Sequence, residues 1–294
     1  MRHERRRYQT KPWEELTFAD NFLFCKILED DPELCRQLLE LLLRIKIDRL
    51  EPPQSERAMQ EAVDAKSVRF DVYTKDESRI FDIEIQTTDA RNLPRRARYY
   101  QSVIDLDNLA RGENYQRLKD SYVIFLCLKD VFRRGLPVYF FENACRADES
   151  IKLDDGAYKV FFNAANCDKL QSEAERDFFK FLKGERARTA FSRRIEERVA
   201  FARQNMAWRK QYMTWQQTID EEKLIAFEEG HDAGVKEGHD AGIEEGALQN
   251  ARETARNLLR MDVLTLEQVA QATSIPVEEV RALREELAHE RAVQ

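Results

Sequence analysis

Three polar residues in the first third of the chain have the types and spacing for phosphate chemistry. They are Asp71, then Glu84 after twelve intervening residues, then Gln86. Two carboxylates brought together can hold a hard divalent cation such as Mg2+ and leave positions open for water and a phosphate oxygen. Such a cation lowers the pKa of its water and offsets charge on the phosphate under attack. Gln86 shares the strand face of Glu84 and could orient the attacking water. Acidic residues are also common on solvated strand faces, so spacing alone leaves a catalytic and a bland reading open.

The elements that must position these residues are legible in the hydrophobic pattern. Val68, Phe70 and Val72 alternate with Arg69, Asp71 and Tyr73, which predicts a strand with the first set on one face and the second on the other. After the turn-like Lys75-Asp76-Glu77-Ser78, Phe81, Ile83 and Ile85 alternate with Asp82, Glu84 and Gln86. The two strands read as a hairpin with one buried and one polar face. A helix rich in arginine (Arg91, Arg95, Arg96, Arg98) follows over about residues 93–110. The continuous apolar run at 122–128 predicts a strand buried on both sides, and weaker strands are expected at Val138–Phe141 and 159–163. Helical stripes precede the hairpin at 18–47, broken at Asp30-Asp31-Pro32, and resume from Ser172 to about Lys223. Strands flanked by helices imply an α/β core that ends near residue 170.

Five blocks occur in order: Glu15-Leu16-Thr17-Phe18-Ala19-Asp20, Val68-Arg69-Phe70-Asp71-Val72-Tyr73-Thr74-Lys75-Asp76-Glu77, Ile83-Glu84-Ile85-Gln86, Arg96-Ala97-Arg98-Tyr99-Tyr100-Gln101-Ser102 and Ser121-Tyr122-Val123-Ile124-Phe125-Leu126-Cys127. Together they resemble the Rpn family of recombination-promoting nucleases, also labelled transposases, of the PD-(D/E)XK nuclease superfamily, over roughly residues 14–260. The resemblance implies a restriction-endonuclease-like α/β core with helices flanking a mixed sheet, followed by a long helical C-terminal region. It implies a DNA endonuclease that uses Mg2+, or Mn2+, with Asp71 and Glu84 as metal ligands. Gln86 then stands where the superfamily has lysine, as in the family itself; glutamine hydrogen-bonds water but brings no positive charge, so another cation, for example Arg98, would supply it. Asp20 is the candidate for a further ligand, with Glu15 behind it, or else a plain helix-terminus residue. Arg69, Arg95, Arg98, Tyr100 and Gln101 are the candidate DNA-phosphate contacts. In the alternative reading the arginines solvate one helix face while the tyrosines fill the core. The implied role is DNA breakage that promotes recombination or acts against mobile elements or phage. The alternative is a catalytically weak or inactive DNA-binding or assembly protein on the same fold. Nothing in the sequence speaks for strand transfer.

Composition narrows the setting. The 294 residues carry 48 Lys and Arg against 55 Asp and Glu, a formal charge of −7. The molecule as a whole therefore does not attract nucleic acid, and DNA contacts must come from local patches. The arginine-rich arm at residues 1–11 reads as a solvated tail or as such a patch. No apolar run reaches membrane-spanning length, and no apolar segment follows the basic N-terminus as a secretory signal would require. Five scattered cysteines without a Cys-x-x-Cys pair, and four histidines, fit a reducing cytosol and argue against zinc or disulfide frameworks. Ser-His-Asp and Cys-His catalysis find no support, and no glycine precedes Gly112 to form a phosphate loop.

The organisation expected is a nuclease-like core over 1–170, a helical extension over 171–223, a glycine-spaced segment over 224–260 and a helix-turn-helix-like unit over 261–294. Gly230, Gly234, Gly238, Gly242 and Gly246 recur every fourth residue, and His231 and His239 mark a duplicated octet. Each glycine costs a helix roughly 1 kcal/mol relative to alanine. The stripe is thus either a close-packing face for a second copy, giving a homo-oligomer, or a flexible linker. In the last unit Glu278, Glu279, Glu285 and Glu286 outnumber Arg281 and Arg284, which favours docking of a partner over reading DNA.

Overall fold

The computed structural model describes residues 11–59, 68–89 and 92–293. They form two compact units, one running through Thr214 and one from Trp215 onward. The first is built on a six-stranded sheet in the order β1-β2-β3-β4-β8-β5: β1 Gln54–Met59, β2 Val68–Lys75, β3 Arg79–Gln86, β4 Asp120–Cys127, β5 Val138–Phe141 and β8 Ala157–Asn163. Between β5 and β8 a small hairpin of β6 Ala144–Cys145 and β7 Asp148–Lys152 stands apart from the sheet. β3, β4 and β8 are parallel neighbours, while β1–β2, β2–β3 and β5–β8 are antiparallel. Parallel strands cannot be joined by a tight turn, so the chain crosses from β3 to β4 through helix α3, Leu93–Asn108. The expected hairpin, the apolar strand and both weaker strands are present.

The sheet is covered on both faces, as the apolar run of β4 requires. Leu93, Ala97, Tyr100, Val103 and Ile104 of α3 pack with Val123, Phe125 and Cys127 of β4 and with Phe161 of β8. Phe161 stacks on Phe125 at 5.2 Å, and its neighbour Phe162 turns the other way, onto Phe179 of α4 (Glu173–Leu182) at 5.5 Å. On that second side α4 packs with α5 (Ala190–Gln204) and with the earlier helix α2 (Pro32–Leu43), while α1 (Asn21–Asp30) packs with α2 and α5. Asp31 separates α1 from α2 as the sequence predicts: its carboxylate caps the Leu34 N–H at 3.0 Å, and Pro32 fills the first helical turn, where its missing N–H costs nothing. Long-range ties follow. Nη2 of Arg194 on α5 donates to both oxygens of the same Asp31 at 2.9 Å, and Arg44 forks through Nε and Nη2 onto the two oxygens of buried Glu175 at 2.9 Å. The core therefore does not end near residue 170; α4 and α5 are integral to the first unit.

Helix α6, Met206–Met261, carries all five spaced glycines in one uninterrupted run of 56 residues, followed by α7 (Leu266–Thr273) and α8 (Val277–Val293). The glycine segment is thus helical. A Cβ built at any of the five glycines meets nothing within 4 Å, so the stripe packs against no described residue of this chain. In the second unit Ala255 of α6, Val269 and Ala270 of α7, Ile275, and Val280 and Leu283 of α8 form a small core. Thr265 and Gln268 close a reciprocal cap at the start of α7, and Ser274 takes the left-handed conformation (φ 55°) that lets the chain turn into Pro276. Arg252 pairs with Glu279 at 2.6 Å and Arg256 with Glu286 at 2.9 Å, so part of the acidity of α8 is spent inside this unit. No described helix is long and apolar enough to cross a membrane.

Candidate active site

The pairing of β2 with β3 runs from Lys75↔Ile80 to Val72↔Ile83 and stops there. One position further, side chains take over from the ladder. The backbone N–H of Asp71 donates to Oε1 of Glu84 at 2.9 Å, and the N–H of Ile85 donates to Oδ2 of Asp71 at 3.0 Å. The two carboxylates supply the acceptors that separating strands have lost, and the reciprocal bonds hold them side by side. The period-two alternation of β2 breaks at the same place. Phe70 packs against Tyr73 at 5.6 Å and against Tyr100 of α3 at 5.1 Å, so Phe70 and Tyr73 share a side despite a spacing of three. The expected division of Val68, Phe70 and Val72 from Arg69, Asp71 and Tyr73 therefore fails at Asp71.

The polar face of β3 is not solvated. Asp82 and Glu84 are 0% exposed and Gln86 8%, because their register partners Val123, Phe125 and Cys127 place them under α3. The residue that makes this burial tolerable is Arg96. It lies three residues after Leu93 and four before Tyr100, hence on the inner face of α3. Its Nη2 donates to Oε2 of Glu84, its Nη1 to Oε1 of Gln86 at 3.3 Å and its Nε to the Tyr100 hydroxyl at 3.0 Å. The guanidinium also sits over the Phe125 ring, 5.2 Å from its centroid. Gln86 in turn donates its amide to the Thr88 carbonyl at 3.1 Å and hydroxyl at 2.8 Å, which turns its carbonyl oxygen toward Arg96.

One guanidinium does not neutralise this cluster. Burial, and then the charge of Asp71, push the Glu84 carboxyl up to about 8, against the pull of Arg96. Asp82 is raised too, first by burial and then by the charges of Glu84 and Asp71. No described N–H or hydroxyl donates to either oxygen of Asp82. The group that faces it is Glu84, with which it can share a proton only when one of the two is protonated. An electron-rich, oxygen-only donor set of this kind fits a hard divalent cation. Among the described residues no three His, Cys, Asp or Glu side chains converge as a ready ligand set. A cation at Asp71 and Glu84 would complete its shell with water and substrate oxygens, as Mg2+ commonly does.

The other predicted site residues divide by helix phase and position. Arg69, Arg95 and Arg98 are exposed. Tyr100 and Gln101 are not: the Tyr100 hydroxyl accepts from Arg96, and the Gln101 amide donates to the Ser121 hydroxyl on β4. Both face the sheet, which corrects their expected contact with phosphate. Asp20 stays at the start of α1, where Oδ2 accepts from the Thr17 N–H at 2.6 Å, the Thr17 hydroxyl at 2.8 Å and the Lys11 ammonium at 2.7 Å. It joins no three-carboxylate group with Asp71 and Glu84, and Glu15 is exposed. Arg91 and most of the basic arm lie outside the described residues. Sequence reasoning missed two participants, Arg96 and Asp82. The inner stripe Leu93, Ala97, Tyr100, Ile104 was the available signal for the first, and the alternation with Glu84 for the second.

A family model described as PD-(D/E)XK nuclease family transposase matches residues 20–218, a span that contains the whole of this arrangement. No curated protein and no solved structure matches the chain.

Proposed function

This chain belongs to the PD-(D/E)XK nuclease family transposases, and from that premise we propose that it hydrolyses DNA backbone phosphodiesters with Mg2+, or Mn2+, at Asp71 and Glu84. The observation that carries this reading is the reciprocal bonding of the two carboxylates at the split in the hairpin, which holds hard oxygen donors together in advance. When bound, the cation supplies a nucleophilic water and charge compensation for the phosphate. The chain's own residues do the rest. Asp71 and Glu84 hold their carboxylates in place through backbone N–H groups. Gln86 keeps one carbonyl lone pair after its bond from Arg96, and this would accept a hydrogen from the attacking water and orient it. Exposed Arg69, Arg95 and Arg98 would contact DNA phosphates. Asp20 is left out of the ligand set, because its carboxylate serves Thr17 and Lys11.

The cellular role that goes with this activity is DNA breakage in the cytosol that promotes recombination or counters mobile elements or phage, carried out by a homo-oligomer assembled through the C-terminal helices. The test compares wild type with Asp71→Ala on plasmid DNA and Mg2+. Wild type should cut, and the variant should lose about 10³-fold or more in rate, the factor that several kcal/mol of transition-state stabilisation represents. Equal cutting by both, or none by either, would remove these residues from the assignment. The second reading, an inactive DNA-binding or assembly protein, draws on the occupation of Glu84 by Arg96 and on the lack of charge on Gln86. It predicts DNA binding without cleavage at any metal concentration.

A further inference from the structure

We propose that Arg96 is the exchangeable counter-cation of this site and a positioning residue for the phosphate. It holds Glu84 while no metal is bound, and leaves that carboxylate for the DNA backbone when a divalent cation takes it. The inference rests on the reading of Asp71 and Glu84 as cation ligands.

The two oxygens of Glu84 are held by different kinds of partner. Oε1 accepts from the backbone N–H of Asp71, which cannot withdraw without distorting β2. Oε2 accepts from Arg96, a side chain that can rotate. Oε2 is thus the oxygen whose partner can move aside, and a cation that settles there displaces Arg96, since two cations at contact distance on one oxygen repel. The position of the guanidinium suits such an exchange. The Glu84 side chain is fully buried, whereas that of Arg96 is 30% exposed, so the arginine lies between the carboxylate and solvent. Its bonds to Tyr100 and Gln86 do not involve Glu84 and can act as a pivot when Nη2 lets go. Three of the five guanidinium N–H groups are committed in the closed arrangement, and release of Glu84 frees another for a forked hold on phosphate. Exposed Arg95 and Arg98 flank it on the same helix, where a DNA backbone would run.

Calorimetric titration of the full chain with Mn2+, without DNA, tests the exchange directly. Arg96→Gln should bind Mn2+ about tenfold more tightly than wild type, because a half-buried competing charge is gone. Its DNA binding in Ca2+ should weaken, and the slope of log K against log salt should shrink by about 1. An arginine that merely braces α3 would not improve metal affinity when removed. Should Arg96→Gln fail to fold, the Arg96 Nε–Hε resonance of wild type takes its place. That resonance should move and saturate together with Mg2+ binding. Unchanged or weaker Mn2+ affinity in Arg96→Gln, or a resonance that stays still while Mg2+ saturates the protein, overturns the exchange. Wild-type cleavage with unchanged affinity in Arg96→Gln would sink the exchange alone. Tightened affinity in a chain that never cuts would sink the nuclease reading alone, and a chain that binds no divalent cation would sink both.

Discussion

The two regions that draw most attention in the sequence are opposites in structure. Around Glu84 every polar group is crowded: Asp71, Arg96 and Gln86 are knit by hydrogen bonds, and Asp82 is sealed in beside Glu84 with no donor among the described N–H and hydroxyl groups. Along α6 the five glycines are bare, with nothing within 4 Å of where their side chains would begin. In the first region the residues obtain their properties from neighbours far away in sequence, and a substitution propagates. In the second the pattern is written plainly in the chain, yet no described residue uses it. The repeat meets no described residue of the chain, whereas the motif buried in the first unit owes its chemistry to packing.

Substitutions should respond accordingly. The largest stability effect belongs under the site: Phe125→Ala removes the ring on which Arg96 and Phe161 rest, and should cost about 3–5 kcal/mol in denaturant unfolding. A loss below about 1 kcal/mol would mean that the floor is loosely packed.

Next comes Asp177, buried at the junction of α4 and α5. Its carboxylate accepts from the Thr189 N–H and hydroxyl, both at 2.8 Å, and from the Arg188 N–H. Burial alone would raise its pKa, but those bonds together with Ser192 outweigh it and hold the group below the usual carboxylate range. A depressed folded-state pKa adds stability that is present above the unfolded value of about 3.9 and is lost as pH falls through the folded one. Asp177→Asn should therefore cost roughly 1–3 kcal/mol at neutral pH, and the difference from wild type should shrink in strongly acidic buffer. A difference that stays constant with pH would exclude the ionised carboxylate as its source.

The smallest effects belong to the glycine stripe. Gly238→Ala and Gly242→Ala should each favour the helix by about 0.5–1 kcal/mol, as monitored by thermal melting of helix content. If the stripe packs against a second copy, the same changes should weaken assembly in sedimentation while they raise helicity. A chain truncated after Lys223 should then sediment as the monomer. An unchanged oligomeric state in both would leave the stripe as a surface feature and bring the two regions closer in kind than proposed.

Much of the fold was legible because it is local. The hairpin, the doubly buried β4, the break at Pro32 and the cap at Thr265 all follow from periodicity and turn chemistry within a few residues, whereas the glycine segment read either as a helix or as a linker. β1 was not legible: Gln54–Met59 is polar and owes its strand conformation to pairing with β2. The boundary at residue 170 failed for a similar reason, since Arg44–Glu175 and Arg194–Asp31 join residues more than a hundred positions apart.

The sequence by itself determined which residue types could do chemistry and that two of them, Asp71 and Glu84, would lie on neighbouring strands, because strand period and turn length set that. Only the tertiary structure decided that the polar face is buried and that Asp82 is trapped beside Glu84. It also decided that Arg96, not Arg98, meets the carboxylates. Helix phase becomes an address only when the helix lies on a particular sheet, and a carboxylate's charge becomes costly only when packing removes its water.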